Sequence, residues 1–120
     1  MKVLLSAYAC EPGKGSEPEI GWNWATQIAR FHEVTVVTRK KNQAAVEQAL
    51  TRTTRPQLRF LFYDPEPWAL ALKKKPGGNL FFYSFWQKSV RPLIRAELKR
   101  SPYDLIHHLT FGSFRSTTAV

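Results

Sequence analysis

Residues 3–16 read Val3-Leu4-Leu5-Ser6-Ala7-Tyr8-Ala9-Cys10-Glu11-Pro12-Gly13-Lys14-Gly15-Ser16. The stretch from Val3 to Ala9 is a short apolar run typical of a buried strand, and it leads into a loop that contains two glycines. A helical pattern follows from Ser16. A strand, a glycine-bearing loop and a helix in this order predict the start of a parallel α/β sheet.

Three more segments have the length and composition of strands: residues 34–38, 58–63 and 105–109. Helical patterns separate them, so the chain is predicted to consist of βαβ units. Crossovers between parallel strands are right-handed in nearly all proteins. We therefore expect a Rossmann-like, doubly wound parallel sheet with helices on both faces.

The first helix has a predicted start and a predicted buried face. Ser16 and Glu19 fit a capping box, in which each side chain accepts the backbone N–H of the other residue, and Pro18 lies in the first turn. One apolar stripe is expected to pack on the sheet: Ile20, Trp24, Ile28 and Phe31. Trp22 lies off this stripe and is expected to pack against a neighbouring loop or helix.

Two later helical regions are predicted. The first covers residues 42–53, with Asn42 as its cap and residues 45, 46, 49 and 50 facing inward. The second begins at Asn79, also a predicted cap, and has apolar residues at i, i+4 spacing: Phe82, Trp86, Val90, Ile94 and Leu98. Pro92 lies inside this pattern, so the region is expected to kink or to divide into two helices.

Composition restricts the location and the partners of the chain. Cys10 is its one cysteine, which excludes an internal disulfide framework and favours the cytoplasm. No apolar run approaches the roughly 20 residues of a transmembrane helix. The net charge is +9, and the basic excess lies after residue 38. Such a surface suits nucleic acid, an anionic membrane or an acidic substrate, and charge alone does not choose among them.

The loop after the first strand is the first candidate site, because parallel sheets bind ligands at the carboxyl ends of their strands. Four of its residues are predicted to bind substrate: Gly13, Lys14, Gly15 and Ser16. Neither the dinucleotide fingerprint nor the P-loop motif fits them. The carboxylates of Glu17 and Glu19 at the helix start disfavour a bare phosphate and suit a ligand rich in hydroxyl groups. An ordinary connecting loop is the alternative.

The adjacent pair His107 and His108 is the second candidate site. Neighbouring residues of a strand point to opposite faces, so at most one of the two faces a cleft, and they cannot chelate one metal together. No metal site is predicted, since no cysteine or acidic cluster completes a ligand set. A histidine that only packs is the alternative.

The third candidate is the basic, aromatic region from Trp68 to Arg100. It has more aromatic residues than one helix face can bury, which suggests contact with an anionic membrane. The predicted contact residues are Lys73, Lys74, Lys75, Phe82 and Trp86. The alternatives are a solvated basic face over a helix that is buried on two sides, and a non-catalytic module that binds a membrane or nucleic acid.

Residues 1–18 and the following Gly21-Trp22-Asn23-Trp24-Ala25 resemble the N-terminus of bacterial family 4 glycosyltransferases, also called glycosyltransferase group 1. Residues 32–39 are similar to the second strand of that family, and residues 103–111 to its fourth. The resemblance covers nearly the whole chain. It implies the N-terminal, acceptor-side part of a GT-B fold, in which two Rossmann-like domains face each other across a cleft.

The resemblance also implies a reaction. Family members transfer a sugar from a nucleotide sugar with retention of configuration and without a bound metal; no cofactor is expected, and the chain has no Asp-x-Asp. The loop from Gly13 to Ser16 would approach the donor phosphates and the acceptor. His108, or alternatively His107, would contact the transferred sugar and stabilise developing charge, and Thr110 would bind substrate beside it.

The resemblance also implies a second domain, binding partners and a cellular location. The donor-binding domain with its Glu-x7-Glu motif has no counterpart in the 120 residues, which are expected to be an incomplete N-terminal domain that is inactive alone. The implied partners are a nucleotide sugar, held by that other domain, and a glycan or lipid-linked acceptor. The implied location is the cytoplasm, or the inner face of the membrane as a peripheral protein, and nucleic acid is not an expected partner.

Overall fold

The computed structural model describes residues 1–52 and 55–109. Within these ranges strands and helices follow in the order β1 (Lys2–Ala7), α1 (Ser16–Ile28), β2 (Glu33–Arg39), α2 (Gln43–Arg52), β3 (Leu58–Tyr63), α3 (Pro67–Ala71), α4 (Gly78–Ser89), α5 (Arg91–Arg100) and β4 (Leu105–Leu109). Short 3-10 turns, Lys40–Asn42 and Leu72–Lys74, precede α2 and follow α3. All of the predicted strands are confirmed, and β3 and β4 have the predicted bounds.

The strands of the described chain form one parallel sheet in the order β3-β2-β1-β4. Strand β1 lies in the middle, with Leu4 paired to Thr35 of β2, and Ser6 paired to His108 of β4. The sheet is all-parallel and its crossovers are helical, so the predicted Rossmann-like α/β class is confirmed. The carboxyl ends of β1, β2 and β3 meet at one edge, which we call the carboxyl edge.

Alternate strand residues supply two cores on opposite faces of the sheet, as the period of two requires. On one face Leu4 and Val37 pack against α4 and α5. On the other face, Val3, Leu5, Val34 and Val36 pack against Ala25 of α1, with Leu50 of α2 at the border. Helices therefore cover both faces, because each strand is apolar on both sides.

The predicted start of α1 is wrong in one respect. The N-cap is Gly15, with φ 75° and ψ 167°, and no side chain caps the helix. Ser16 is the first helical residue and has a positive φ of 55°. The capping box of Ser16 and Glu19 therefore does not form. Glycine makes the entry turn because it alone adopts this backbone region without strain.

The predicted inner stripe of α1 is also wrong except at Ile28, which is partly buried and packs against the core that contains Val3 and Leu5. Ile20, Trp24 and Phe31 are 58%, 46% and 73% exposed and line an apolar groove of about 540 Å³ on the outer surface. Gly21 and Ala25 are buried instead. A Cβ at position 21 would lie 2.1 Å from the Ala9 carbonyl oxygen, so small residues allow the helix to approach the loop and sheet.

Trp22 packs against the core on this side of the sheet. Its ring stacks on Phe60 of β3, with centroids 6.1 Å apart. The prediction that Trp22 packs against a loop or helix is therefore wrong, because its partner is a strand. The reason is the rotation of α1, which places this tryptophan over β3 and Trp24 over β4.

The long apolar pattern after residue 78 divides as predicted. Helices α4 and α5 meet at Val90, and Pro92 lies in the first turn of α5, where its missing N–H breaks no helical bond. Residues 82, 86, 90 and 94 are buried. The predicted caps are wrong: Gly77, with φ 73°, precedes α4, and Asn42 lies in the 3-10 turn before α2.

Candidate functional site

The loop between β1 and α1 leaves open space at the carboxyl edge. Gly13 and Gly15 have φ values of 73° and 75°, and a Cβ added at either would find no heavy atom within 4 Å. The Glu11 N–H donates to the Pro18 carbonyl over 2.9 Å, which fixes the loop against the first turn of α1. The predicted site therefore has room for a ligand beside a backbone that only glycine adopts easily.

Hydrogen bonds tie the exit of β1 to the exit of β2. The Thr38 hydroxyl donates to the Tyr8 carbonyl over 3.4 Å, and the Asn42 amide donates to the Thr38 hydroxyl over 3.0 Å. All three residues are buried. Asn42 therefore stabilises the base of the carboxyl edge instead of capping α2.

Arg39, the last residue of β2, is the central charge of this edge. Its side chain is almost fully buried and its Nε lies 3.2 Å from Asp64 Oδ1, just beyond β3. Its guanidinium lies 4.7 Å from the ring centroid of Phe82 and 5.3 Å from that of Tyr8. Burial is tolerated because an ion pair and two aromatic faces replace the water that solvates an arginine.

The sequence prediction missed Arg39 and Asp64 as site residues. Their signal is a cation that ends one apolar strand and a carboxylate that follows the next strand. In a parallel sheet these two positions meet at the same edge. Strand order was needed to pair them, and it is β3-β2-β1-β4 here.

Two lysines extend the positive charge toward solvent. Burial lowers the pKa of Lys41 from its ordinary value, and the neighbouring Arg39 charge lowers it further. Burial likewise lowers the pKa of Lys73, with added repulsion from Arg39 and Lys41. The Lys73 ammonium lies 5.3 Å from the centroid of Phe82, the same ring that Arg39 contacts. These cations therefore share one corner of the carboxyl edge.

Carboxylates lie on the other side of the loop. Glu11 forms a long ion pair, 3.9 Å, with the exposed Lys14. One carboxylate oxygen of Glu17 is buried and has no hydrogen-bond partner within the described part of the chain. Ser16 is exposed at the helix start. The edge is thus acidic beside α1 and basic beside β2 and α3.

No family model, curated protein or solved structure matches the chain. The chemistry of the carboxyl edge therefore has to be judged from its own side chains. Carboxylate oxygens accept hydrogen bonds from hydroxyl groups, and ammonium groups bind phosphate or carboxylate oxygens. A ligand with a polyhydroxyl part and an anionic part complements both sides.

The paired histidines of β4 point to opposite faces, as predicted. His107 stacks on Trp24 of α1, with centroids 5.7 Å apart. His108 lies opposite Ser6 of β1, and neither its Nδ1 nor the Ser6 hydroxyl has a partner among residues 1–52 and 55–109. Burial and the neighbouring His107 lower the pKa of His108, so its imidazole is neutral at pH 7.

Two further predictions concern Thr110 and a metal, and Cys10 lies beside the loop. Thr110, the predicted substrate-binding residue after β4, lies outside the described residues, as does Phe111. No group of three histidine, cysteine, aspartate or glutamate side chains that could hold a metal occurs within the described ranges. Burial raises the pKa of the Cys10 thiol to about 12, so Cys10 is a protonated packing residue and not a nucleophile.

The predicted membrane contact is wrong for two of its residues. Phe82 and Trp86 are 1% and 0% exposed, and the Trp86 indole N–H donates to the Tyr63 carbonyl over 2.9 Å. They belong to the core because α4 packs directly on the sheet. The exposed aromatics nearby are Trp68 and Phe81.

Trp68 and Phe81 form one aromatic surface with Phe85, which both rings contact at centroid distances of 5.7 and 6.4 Å. The exposed Lys74 and Lys75 lie between α3 and α4. We call these five residues the aromatic–basic patch. In the described part of the chain no helix is long and apolar enough to cross a membrane.

Proposed function

We propose that this chain is the acceptor-side part of a retaining glycosyltransferase, which transfers a sugar from a nucleotide sugar to a glycan or lipid-linked acceptor. The supporting observation is the open loop at the carboxyl edge, where Gly13 and Gly15 expose backbone between acidic and basic side chains. Acceptors of this class are polyhydroxylated, and many are anionic. The GT-B assignment is part of the same proposal and comes from the sequence resemblance.

In this proposal the two sides of the edge have different roles. Glu11 and Glu17 accept hydrogen bonds from acceptor hydroxyl groups, which orients the ring. The donor comes from a second domain across the cleft. The acceptor hydroxyl then replaces the nucleotide diphosphate at the anomeric carbon, and its proton leaves with the diphosphate. Correct placement of the hydroxyl is the main contribution of this chain.

His108 is the proposed histidine partner of the transferred sugar. Its neutral imidazole can donate one hydrogen bond and accept another, and Nδ1 has no partner within the described residues. His107 is occupied by its stacking on Trp24. An electrostatic role at the developing charge suits a neutral imidazole better than a nucleophilic role.

The test is sugar transfer by the protein encoded by the whole reading frame that contains these residues. Radiolabelled nucleotide sugars are supplied, and label is counted in lipid extracts and polymer. Gly15→Ala is expected to reduce transfer about tenfold or more by misplacing the loop. Gly77→Ala is the matched control, because Gly77 has the same positive φ and equally open surroundings but precedes α4. Equal losses in both variants would contradict the proposal.

The gene offers an independent check. A frame that continues past Val120 into a segment with Glu-x7-Glu supports the proposal. A stop codon after Val120 with no donor domain encoded nearby contradicts it. His108→Ala and His107→Ala, assayed in the same frame, then distinguish the two histidines: transfer is expected to fall in the first variant and to persist in the second.

A second function is favoured by one observation, the exposure of Trp68 and Phe81 at 62% and 56% beside two lysines. We propose that the aromatic–basic patch contacts an anionic membrane surface, with or without catalysis. Co-sedimentation with phosphatidylglycerol vesicles tests this. Trp68→Ser with Phe81→Ser is expected to abolish binding, and Phe31→Ser, an exposed phenylalanine on the opposite face, is expected to leave it intact. Equal binding by all variants would contradict it.

A further inference from the structure

The charges at the carboxyl edge do not balance. Within the described chain, the pKa of Lys41 responds to four other charged side chains: Arg39, Asp64, Glu11 and Lys14. Asp64 neutralises Arg39, and Glu11 lies beside Lys14. The charges of Lys41 and Lys73 are therefore left over.

Both lysines lie close enough to Arg39 for its charge to lower their pKa. Lys41 lies in the turn that immediately follows Arg39, and Lys73 lies over the ring of Phe82, against which the Arg39 guanidinium also packs. Arg39 itself is held below the surface by Asp64. Lys41 is exposed and Lys73 is half-buried. The Arg39 charge repels both ammonium groups, and a bound anion would relieve that repulsion.

We propose that Lys41 and Lys73 bind a phosphoryl group of a ligand whose sugar or polyol part lies along the loop of Gly13 and Gly15. A phosphate monoester carries close to two negative charges at neutral pH, which matches the two unneutralised lysines. Its oxygens accept hydrogen bonds from both ammonium groups. The acidic side of the loop repels the phosphate and accepts the hydroxyl groups, so the ligand binds in one orientation.

The phosphate site deepens the proposed function. It rests on that function in one respect only, the identification of the ligand as the acceptor. The phosphoryl group could belong to a free hexose phosphate or to a lipid headgroup, since both present the same oxygens. The phosphate site itself can be tested on the 120-residue chain without any transfer reaction.

The experiment is isothermal titration of the purified chain with three probes: inorganic phosphate, a hexose 1-phosphate, and short-chain phosphatidic acid below its micelle concentration. Lys41→Gln with Lys73→Gln removes two charges from the site. Lys88→Gln with Lys99→Gln is the matched control, because it removes two exposed charges from α4 and α5, away from the carboxyl edge. Both glutamine pairs keep long side chains, and circular dichroism checks that each variant is folded.

The wild-type chain is expected to bind at least one phosphorylated probe, and the Lys41/Lys73 pair to weaken that binding about tenfold or more. The Lys88/Lys99 pair is expected to change it less than about twofold, since distant exposed charges are screened. Preference for hexose phosphate or for phosphatidic acid identifies the source of the group. No binding by the wild type, or equal weakening in both pairs, overturns the inference. Transfer activity without phosphate binding would reject the site and leave the proposed function standing.

Discussion

Replacing Gly21 by alanine should destabilise the protein, although alanine is the better helix former. The new Cβ would lie 2.1 Å from the Ala9 carbonyl oxygen and 3.3 Å from Cys10 Cα. A carbon and a carbonyl oxygen ordinarily approach to about 3.3 Å, so α1 and the loop must separate by about 1 Å. Both partners are backbone, and a rotamer change cannot relieve the contact.

The expected size follows from two opposing terms. Overpacking of a well-packed contact costs about 3 kcal/mol when backbone has to move. The gain in helix propensity from glycine to alanine is about 1 kcal/mol. The net loss in the free energy of unfolding is therefore about 2 kcal/mol, which lowers the melting temperature by about 8 °C in a domain of this size.

Urea unfolding monitored by circular dichroism measures this loss, and the slope of free energy against urea checks that both states stay comparable. Asn23→Ala is the control, since the Asn23 side chain is exposed on the same helix. It should change stability by less than about 0.5 kcal/mol. A Gly21→Ala variant as stable as the wild type would refute the close approach of α1 to the loop.

Three further predictions concern the two sides of the sheet. Trp86→Phe should cost about 2 kcal/mol in urea unfolding, because it leaves the part-buried Tyr63 carbonyl without its indole donor and creates a small cavity in the core; a neutral outcome would contradict the placement. Hydrogen bonds from Arg100 lower the pKa of Glu97 to about 2 from an ordinary 4.5. Stability from Glu97 should therefore be complete above pH 4.5 and disappear as the pH falls toward 2, a decline that Glu97→Gln should flatten in thermal melts. Cys10 should react with iodoacetamide at pH 8 far more slowly than free cysteine, and rapid labelling in the native state would show that it is not buried.

The strands could be predicted from sequence because their signal is local. Each is a short apolar run between turn residues, and parallel strands buried on both faces show this pattern most clearly. The opposite orientation of His107 and His108 follows from the same period of two. Pro92 divides α4 from α5 for an equally local reason, the missing N–H.

The orientation of α1 could not be predicted, because its buried face is made of small residues. Gly21 and Ala25 have little hydrophobic signal, whereas Ile20 and Trp24 have a strong one and are exposed. Close backbone approach decides the outcome, and it depends on where the Ala9 carbonyl lies in three dimensions. A stripe of large apolar residues therefore predicts the buried face of a helix only where the helix packs on the sheet through large side chains, and not through close backbone approach.

The buried position of Arg39 at the carboxyl edge was not predicted, for a related reason. Arg39 is 3% exposed, which contradicts the usual rule that arginine lies at the surface. Its burial depends on Asp64 and Phe82, which are distant in sequence and meet it through the order of the strands and the packing of α4. The glycine loop could be predicted because glycine indicates unusual backbone within a few residues. Pairing Arg39 with Asp64 requires the order of the strands, which the sequence alone does not show.

The most direct test of a ligand site at the carboxyl edge is a backbone amide NMR titration of the 120-residue chain with a hexose 1-phosphate. We expect saturable chemical-shift changes that are largest at Gly13, Gly15, Lys41 and Lys73, with residues at the opposite edge, such as Glu97, unaffected. Shifts centred on Glu97 or on the outer groove of α1, or no shifts at millimolar ligand, would contradict it.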